Sequence, residues 1–129
     1  MATKEKAMKT ILIAEDNDSN FTLMKYILKH RYDIVRAKNG QEAVEDVGLG
    51  GIDLVLMDIK MPVMDGLEAT RLIRTTNPLL PIIALTANAF ETDRDTAIKA
   101  GCTDFLSKPI DSALCLKTIE KYIAGSKEC

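Results

Sequence analysis

A chain of 129 residues, 47% hydrophobic and 28% charged, has the composition of an ordinary globular domain, which excludes disordered and fibrous classes. Its formal net charge of −2 provides no basic footprint for direct nucleic-acid binding. No stretch approaches the roughly 20 apolar residues that span a bilayer, and no apolar signal region follows the lysines of Met1–Lys9, so a cytoplasmic location without membrane contact is expected.

Between polar ends at Met1–Lys9 and Ser126–Cys129, short apolar runs alternate with segments of helical spacing. Thr10–Ala14 reads as a strand, and Met24, Ile27 and Leu28 follow it at i, i+3, i+4. Ile34–Ala37 is the second apolar run and Leu54–Met57 the third. After the third, Asp65 precedes Glu68 by three residues, a capping-box-like helix start, and Ala69, Leu72 and Ile73 repeat the helical spacing. Ile82–Leu85 is the fourth run, followed by a looser helical set of Phe90, Ala97 and Ile98 that Ala100-Gly101 ends. Thr103–Leu106 is the fifth. Asp111-Ser112 can then cap a last helix with Cys115, Leu116, Ile119, Tyr122 and Ile123 on one face.

The runs are short and lack strict polar alternation, as expected for strands buried on both faces. Five βα units require parallel pairing with crossover helices, which predicts a doubly wound three-layer sandwich. Strand order does not follow from this pattern. Cys102, Cys115 and Cys129 are odd in number and lack metal-ligand spacing; small incidental thiols in a reducing compartment are expected, with a regulatory thiol open for Cys129 only.

Parallel strands bring their carboxyl ends to one rim, where ligands bind in open α/β sheets. That rim gathers Glu15 and Asp16, Asp58, Thr86 and Lys108. Taken singly, these are ordinary turn, cap and surface residues. Together at four strand ends they make coincidence a poor explanation. Three carboxylates in one crevice raise the pKa of at least one unless a cation intervenes, and oxygen donors suit a hard ion such as Mg²⁺. Lys108 and the Thr86 hydroxyl can face an anion. A carboxylate, a metal site, a lysine and a hydroxyl describe phosphoryl transfer onto Asp58.

The strings Ile13-Ala14-Glu15-Asp16-Asn17, Met57-Asp58-Ile59-Lys60-Met61-Pro62-Val63-Met64-Asp65-Gly66, Ala84-Leu85-Thr86-Ala87-Asn88-Ala89 and Leu106-Ser107-Lys108-Pro109-Ile110 closely resemble the receiver domain of two-component response regulators. The Glu15-Asp16-Asn17 start, with Asp65-Gly66-Leu67-Glu68-Ala69-Thr70 and Leu85-Thr86-Ala87-Asn88-Ala89, looks most like receivers of hybrid sensor histidine kinases. The resemblance covers about Lys9 to Ala124. It implies one receiver domain in residues 1–129 and a flavodoxin-like (βα)5 sandwich with strand order 2-1-3-4-5. It also implies that Asp58 is the phosphoacceptor and that Asp16, Asp58 and the main-chain carbonyl of Lys60 hold Mg²⁺, with Glu15 acting through water. Lys108, Thr86 and the Ala87 N–H would bind the phosphoryl group, with a cis peptide before Pro109. Thr86 and Phe105 would form a switch that reorganises the fourth helix, fifth strand and fifth helix, although Phe105 also reads as a plain core aromatic. Lys60 and Asn88 resemble positions that tune hydrolysis.

His30, the sole histidine, lies in the charged Lys29-His30-Arg31 end of the first helix and reads as solvated. A histidine kinase or histidine phosphotransfer domain is therefore the expected phosphodonor, and a downstream protein or fused domain the expected recipient of the signal. The chain would not be a turnover enzyme, since it would promote only its own phosphorylation and slow dephosphorylation. A phosphatase resembling the haloacid dehalogenase family is disfavoured, because such enzymes place the nucleophile after the first strand and a second Asp two residues on. Here Lys60 follows Asp58 at that spacing. A nucleotide or flavin binder is disfavoured by the lack of a glycine-rich loop after the first strand, and a pseudo-receiver by the complete Asp16, Asp58, Thr86 and Lys108 set.

Overall fold

The computed structural model describes residues 8–87 and 91–127. Five strands, β1 (Thr10–Ala14), β2 (Asp33–Ala37), β3 (Leu54–Asp58), β4 (Ile82–Thr86) and β5 (Asp104–Ser107), alternate with five helices. The helices are α1 (Asp18–Leu28), α2 (Gly40–Gly48), α3 (Gly66–Thr76), α4 (Glu91–Ala100) and α5 (Ser112–Lys127). All strand pairs are parallel, in the order β2-β1-β3-β4-β5. This is the flavodoxin-like doubly wound arrangement, and the order that sequence pattern left open is thereby fixed.

Successive side chains of a strand point to opposite faces, and the core divides accordingly. Ile11, Ile13, Leu54, Leu56, Ile83 and Leu85 meet Met24 and Leu28 of α1 and Cys115, Ile119 and Ile123 of α5. On the other face Leu12, Val55, Met57, Ile82 and Ala84 meet residues of α2, α3 and α4, among them Val47, Ile73 and Ala97. Burying each such Leu or Ile side chain stabilises the fold by roughly 1.5–3 kcal/mol. The strands β1, β3 and β4 are almost wholly buried, as their apolar runs predict, whereas β2 and β5 form the sheet edges and are partly exposed.

Helix starts follow the capping chemistry. Asn17, Asn39, Asp65 and Asp111 each accept a backbone N–H three residues on, at 2.8–2.9 Å. Gly101, at φ 112°, ends α4. Two residues assigned to apolar stripes stand at their margins instead: Leu72 is 41% and Ile98 47% exposed, because the buried stripes of α3 and α4 centre on Ala69, Ile73 and Ala97. Phe90, Asn88 and Cys129 lie outside the described residues.

Gly66 opens α3 directly beneath β3. Its N–H donates to the Ile59 carbonyl at 2.9 Å, and a Cβ there would stand 2.1 Å from the Asp58 carbonyl oxygen. Gly48, by contrast, has nothing within 4 Å of such a Cβ. We therefore expect Gly66→Ala to destabilise by more than about 2 kcal/mol through overpacking. Gly48→Ala should be neutral or stabilising by up to about 1 kcal/mol. Urea unfolding of both variants measures the difference.

Candidate functional site

Four of the five strand ends, those of β1, β3, β4 and β5, deliver polar side chains to the cleft at the carboxyl rim. Glu15 leaves β1 fully buried and Asp16 stands exposed beside it. Asp58 is the last residue of β3 and Thr86 the last of β4; both are buried. Lys108 follows β5, ahead of a cis peptide to Pro109. These residues, with Lys60 and Ala87, line one cavity of about 450 Å³. Carboxylate oxygens of Glu15, Asp16 and Asp58 lie within 4.8 Å of one another.

Lys108 links the acids. Its Nζ lies 3.1 Å from Glu15 Oε1 and 3.3 Å from Asp58 Oδ2. Asp58 Oδ1 accepts the Lys60 N–H at 3.3 Å, and Glu15 Oε2 accepts the Asn17 N–H at 3.2 Å. Burial, followed by the negative charge of Glu15, raises the Asp58 pKa to about 6 against the opposing pull of Lys108. Burial works against the Lys108 ammonium, yet Asp58 and Glu15 outweigh it and its pKa stands above the ordinary lysine value. One ammonium is thus too little charge for the carboxylates around it.

The Thr86 hydroxyl is buried without a hydrogen-bond partner among the described residues, a costly state for an O–H that an acceptor in the cleft would relieve. The donor set is all oxygen, with surplus negative charge, and it fits a hard divalent cation. The topology separates two roles. β3 lies between β1 and β4, so Asp58 has the acids that follow β1 on one side and the Thr86 hydroxyl that ends β4 on the other, with the Lys108 ammonium reaching both Asp58 and Glu15.

The structure thus gathers Glu15, Asp16, Asp58, Lys60, Thr86, Ala87 and Lys108 in one cleft. Phe105 is not among the lining residues; it is half-buried on β5, against the α2–α3–α4 side of the core. The Arg94 guanidinium lies 5.5 Å from its ring centroid. His30 is exposed in the turn after α1. Since α1 begins at the rim and runs away from it, His30 stands at the opposite end of the sheet. Sequence reading passed over Asn17, Asn20 and Thr96, which also line the cleft. Only the first carried a signal, through its capping position.

The response regulator receiver domain model matches residues 11–120, and the chain belongs to that family of two-component and phosphorelay modules. It is 42% identical to hybrid signal transduction histidine kinase M of Dictyostelium discoideum, over 88% of this chain but 5% of that protein. It is 35% identical to the polar-differentiation response regulator DivK of Brucella anthropi, over 92% of this chain and 98% of DivK. Among solved structures, the receiver domain of a sensor histidine kinase from Pseudomonas aeruginosa PAO1 matches with a TM-score of 0.86 and 37% identity, covering 92% of this chain and 99% of that one. That structure holds a magnesium ion in its active-site cleft. The receiver domain of Saccharomyces cerevisiae Ssk1, solved with the histidine phosphotransfer protein Ypd1, matches with a TM-score of 0.89 and 33% identity, covering 97% of this chain and 95% of that one.

The raised pKa of Asp58 has a stability consequence. Between pH 4 and 6 the folded protein retains a proton that the unfolded chain has released. Stability from this group is therefore full at acid pH and lost as pH rises through about 6. In chelator-containing buffer at pH 7, Asp58→Asn should be more stable than the parent by roughly 1–3 kcal/mol. Chemical denaturation at pH 4.5 and at pH 7 should show that advantage shrinking at the lower pH.

Proposed function

We propose that Asp58 is the phosphoacceptor of this receiver domain, taking a phosphoryl group from a phosphohistidine supplied by a histidine kinase or histidine phosphotransfer domain. The observation that carries the reading is that Asp58, at the end of the central strand, clusters its carboxylate with those of Glu15 and Asp16 and lies 3.3 Å from Lys108 Nζ. An Asp58 oxygen attacks phosphorus, the bond from phosphorus to the donor nitrogen breaks, and its electron pair stays on the imidazole. Lys108 and the Thr86 hydroxyl take charge on the phosphoryl oxygens, with the Ala87 N–H as a further donor.

Asp16, Asp58 and the main-chain carbonyl of Lys60 would hold Mg²⁺, with Glu15 acting through water. Bound there, the cation supplies positive charge that offsets the meeting of an anionic acceptor and an anionic donor. No general base is required, because a carboxylate nucleophile brings no proton. The exposed turn position of His30, away from the rim, supports a donor on another domain or protein. The protein would act as a signalling module rather than a turnover enzyme.

Phosphorylation would draw Thr86 to the phosphoryl group and turn Phe105 inward, shifting the population of the α4–β5–α5 face toward a form read by a downstream protein or fused domain. Among the described residues no helix is long and apolar enough to cross a membrane, and a cytoplasmic site of action fits the phosphodonors proposed.

Incubation with a small phosphodonor and Mg²⁺, followed by intact-mass measurement, tests the assignment. One acid-stable, base-labile phosphoryl group is expected, absent from Asp58→Asn and lost on chelation. Lys108→Ala should retain the modification site but acquire phosphate roughly 10²–10³-fold more slowly. Unchanged mass with several donors, including a phosphohistidine protein, would overturn the proposal.

A further inference from the structure

Arg36 is the cationic residue of edge strand β2, next to its last residue, and its contacts lead to the acidic pair. The β1–β2 ladder ends at Ala14 and Ala37. One step beyond it, the Glu15 N–H still donates to the Ala37 carbonyl at 3.0 Å, but β2 ends at Ala37 and the chain turns into α2, whose N-cap is Asn39. The Glu15 carbonyl is served instead by a side chain: Arg36 Nε donates to it at 3.2 Å and Nη2 at 3.1 Å. The same guanidinium reaches Asp18 Oδ1 at 2.8 Å and stacks 4.5 Å from the Phe21 ring centroid. It is therefore braced against the first turn of α1 while it grips the turn that leads there. Its side chain is 19% exposed.

That carbonyl belongs to the peptide joining Glu15 to Asp16. With its N–H side fixed by Ala37 and its C=O side fixed by Arg36, Glu15 is bonded from β2 at both ends, and the plane of the 15–16 peptide is set. The plane decides where two successive carboxylates point. A small octahedral cation tolerates little error in such placement, and groups that orient metal ligands without touching the metal commonly govern affinity 10–100-fold.

We propose that Arg36 is a positioning residue for the divalent-cation site, holding the Glu15–Asp16 peptide so that both carboxylates converge on Asp58. The inference rests on the Mg²⁺ reading given above. Its sign separates it from electrostatics. Arg36 is a cation near a cation site, so if charge alone mattered, removing it would tighten Mg²⁺ binding. Positioning requires the reverse. Lysine retains the charge but lacks the planar fork that places two N–H groups on one oxygen and stacks on an aromatic ring.

Isothermal titration with MgCl₂ of the full chain, of Arg36→Ala and of Arg36→Lys tests this, with thermal unfolding in EDTA to establish that each is folded at the titration temperature. Arg36→Ala should bind Mg²⁺ roughly 10-fold more weakly or worse, and Arg36→Lys several-fold more weakly despite its charge. If Arg36→Ala does not fold, the lysine variant alone decides. Parent-like or tighter Mg²⁺ binding by the folded variants would overturn the positioning role while leaving the cation site intact. Absence of Mg²⁺ binding by the parent chain would overturn both.

Discussion

Glu15 and Asp58 come from different strands, are both buried, and share a single ammonium, Lys108 Nζ, at 3.1 and 3.3 Å. Placing two carboxylates together away from water is unfavourable, and one lysine offsets only part of that. The sheet enforces the arrangement regardless, because each residue follows a strand whose apolar side chains are locked in the core. Roughly 1.5–3 kcal/mol per buried Leu or Ile, summed over both faces, outweighs a local charge surplus worth a few kcal/mol. The fold can therefore hold a strained cluster in readiness. A domain of this kind sacrifices some stability at its rim and recovers it when ligands arrive.

The order of strands gives that cluster direction. With β3 between β1 and β4, the acids that follow β1 lie on one flank of Asp58 and the hydroxyl of Thr86 on the other, while the Lys108 ammonium reaches across to both Asp58 and Glu15. A cation is favoured on the first flank and an anion on the second, and Asp58 is the side chain common to both. Gly66 reinforces the position from below, since its missing Cβ lets the start of α3 approach the Asp58 carbonyl. The Arg36 grip on the Glu15 carbonyl does the corresponding work for the acids of β1.

Much of this was legible in the chain. Glu15, Asp16, Asp58, Thr86 and Lys108 were found because each follows a short apolar run, and parallel strands must align such ends. Asp65 and Asp111 were found through capping spacing, which is local. What escaped detection depends on contacts far apart in sequence. Arg36 reaches a carbonyl 21 residues away, and two-residue alternation says nothing of where a long side chain ends. Leu72 and Ile98 satisfy helical spacing yet stand exposed, because the width of a buried stripe depends on neighbouring helices and not on the helix itself. The α2 helix is short, and its buried stripe is only Gly40, Ala43 and Val47, small residues that give little apolar signal. Val63, at φ 70° in the loop after β3, is the centre of a γ-turn closed by the Met64 N–H on the Pro62 carbonyl at 2.7 Å, a local strain that apolar spacing does not signal.

The charge surplus at Asp58 is open to direct observation. Carbon-13 NMR of the aspartate side-chain carboxyl, assigned by comparison with Asp58→Asn, follows its titration with and without MgCl₂. A midpoint near 6 in chelator, moving to lower pH as MgCl₂ is added, is the result the structure predicts. Titration in the ordinary carboxylate range near 4, unmoved by the cation, would contradict it.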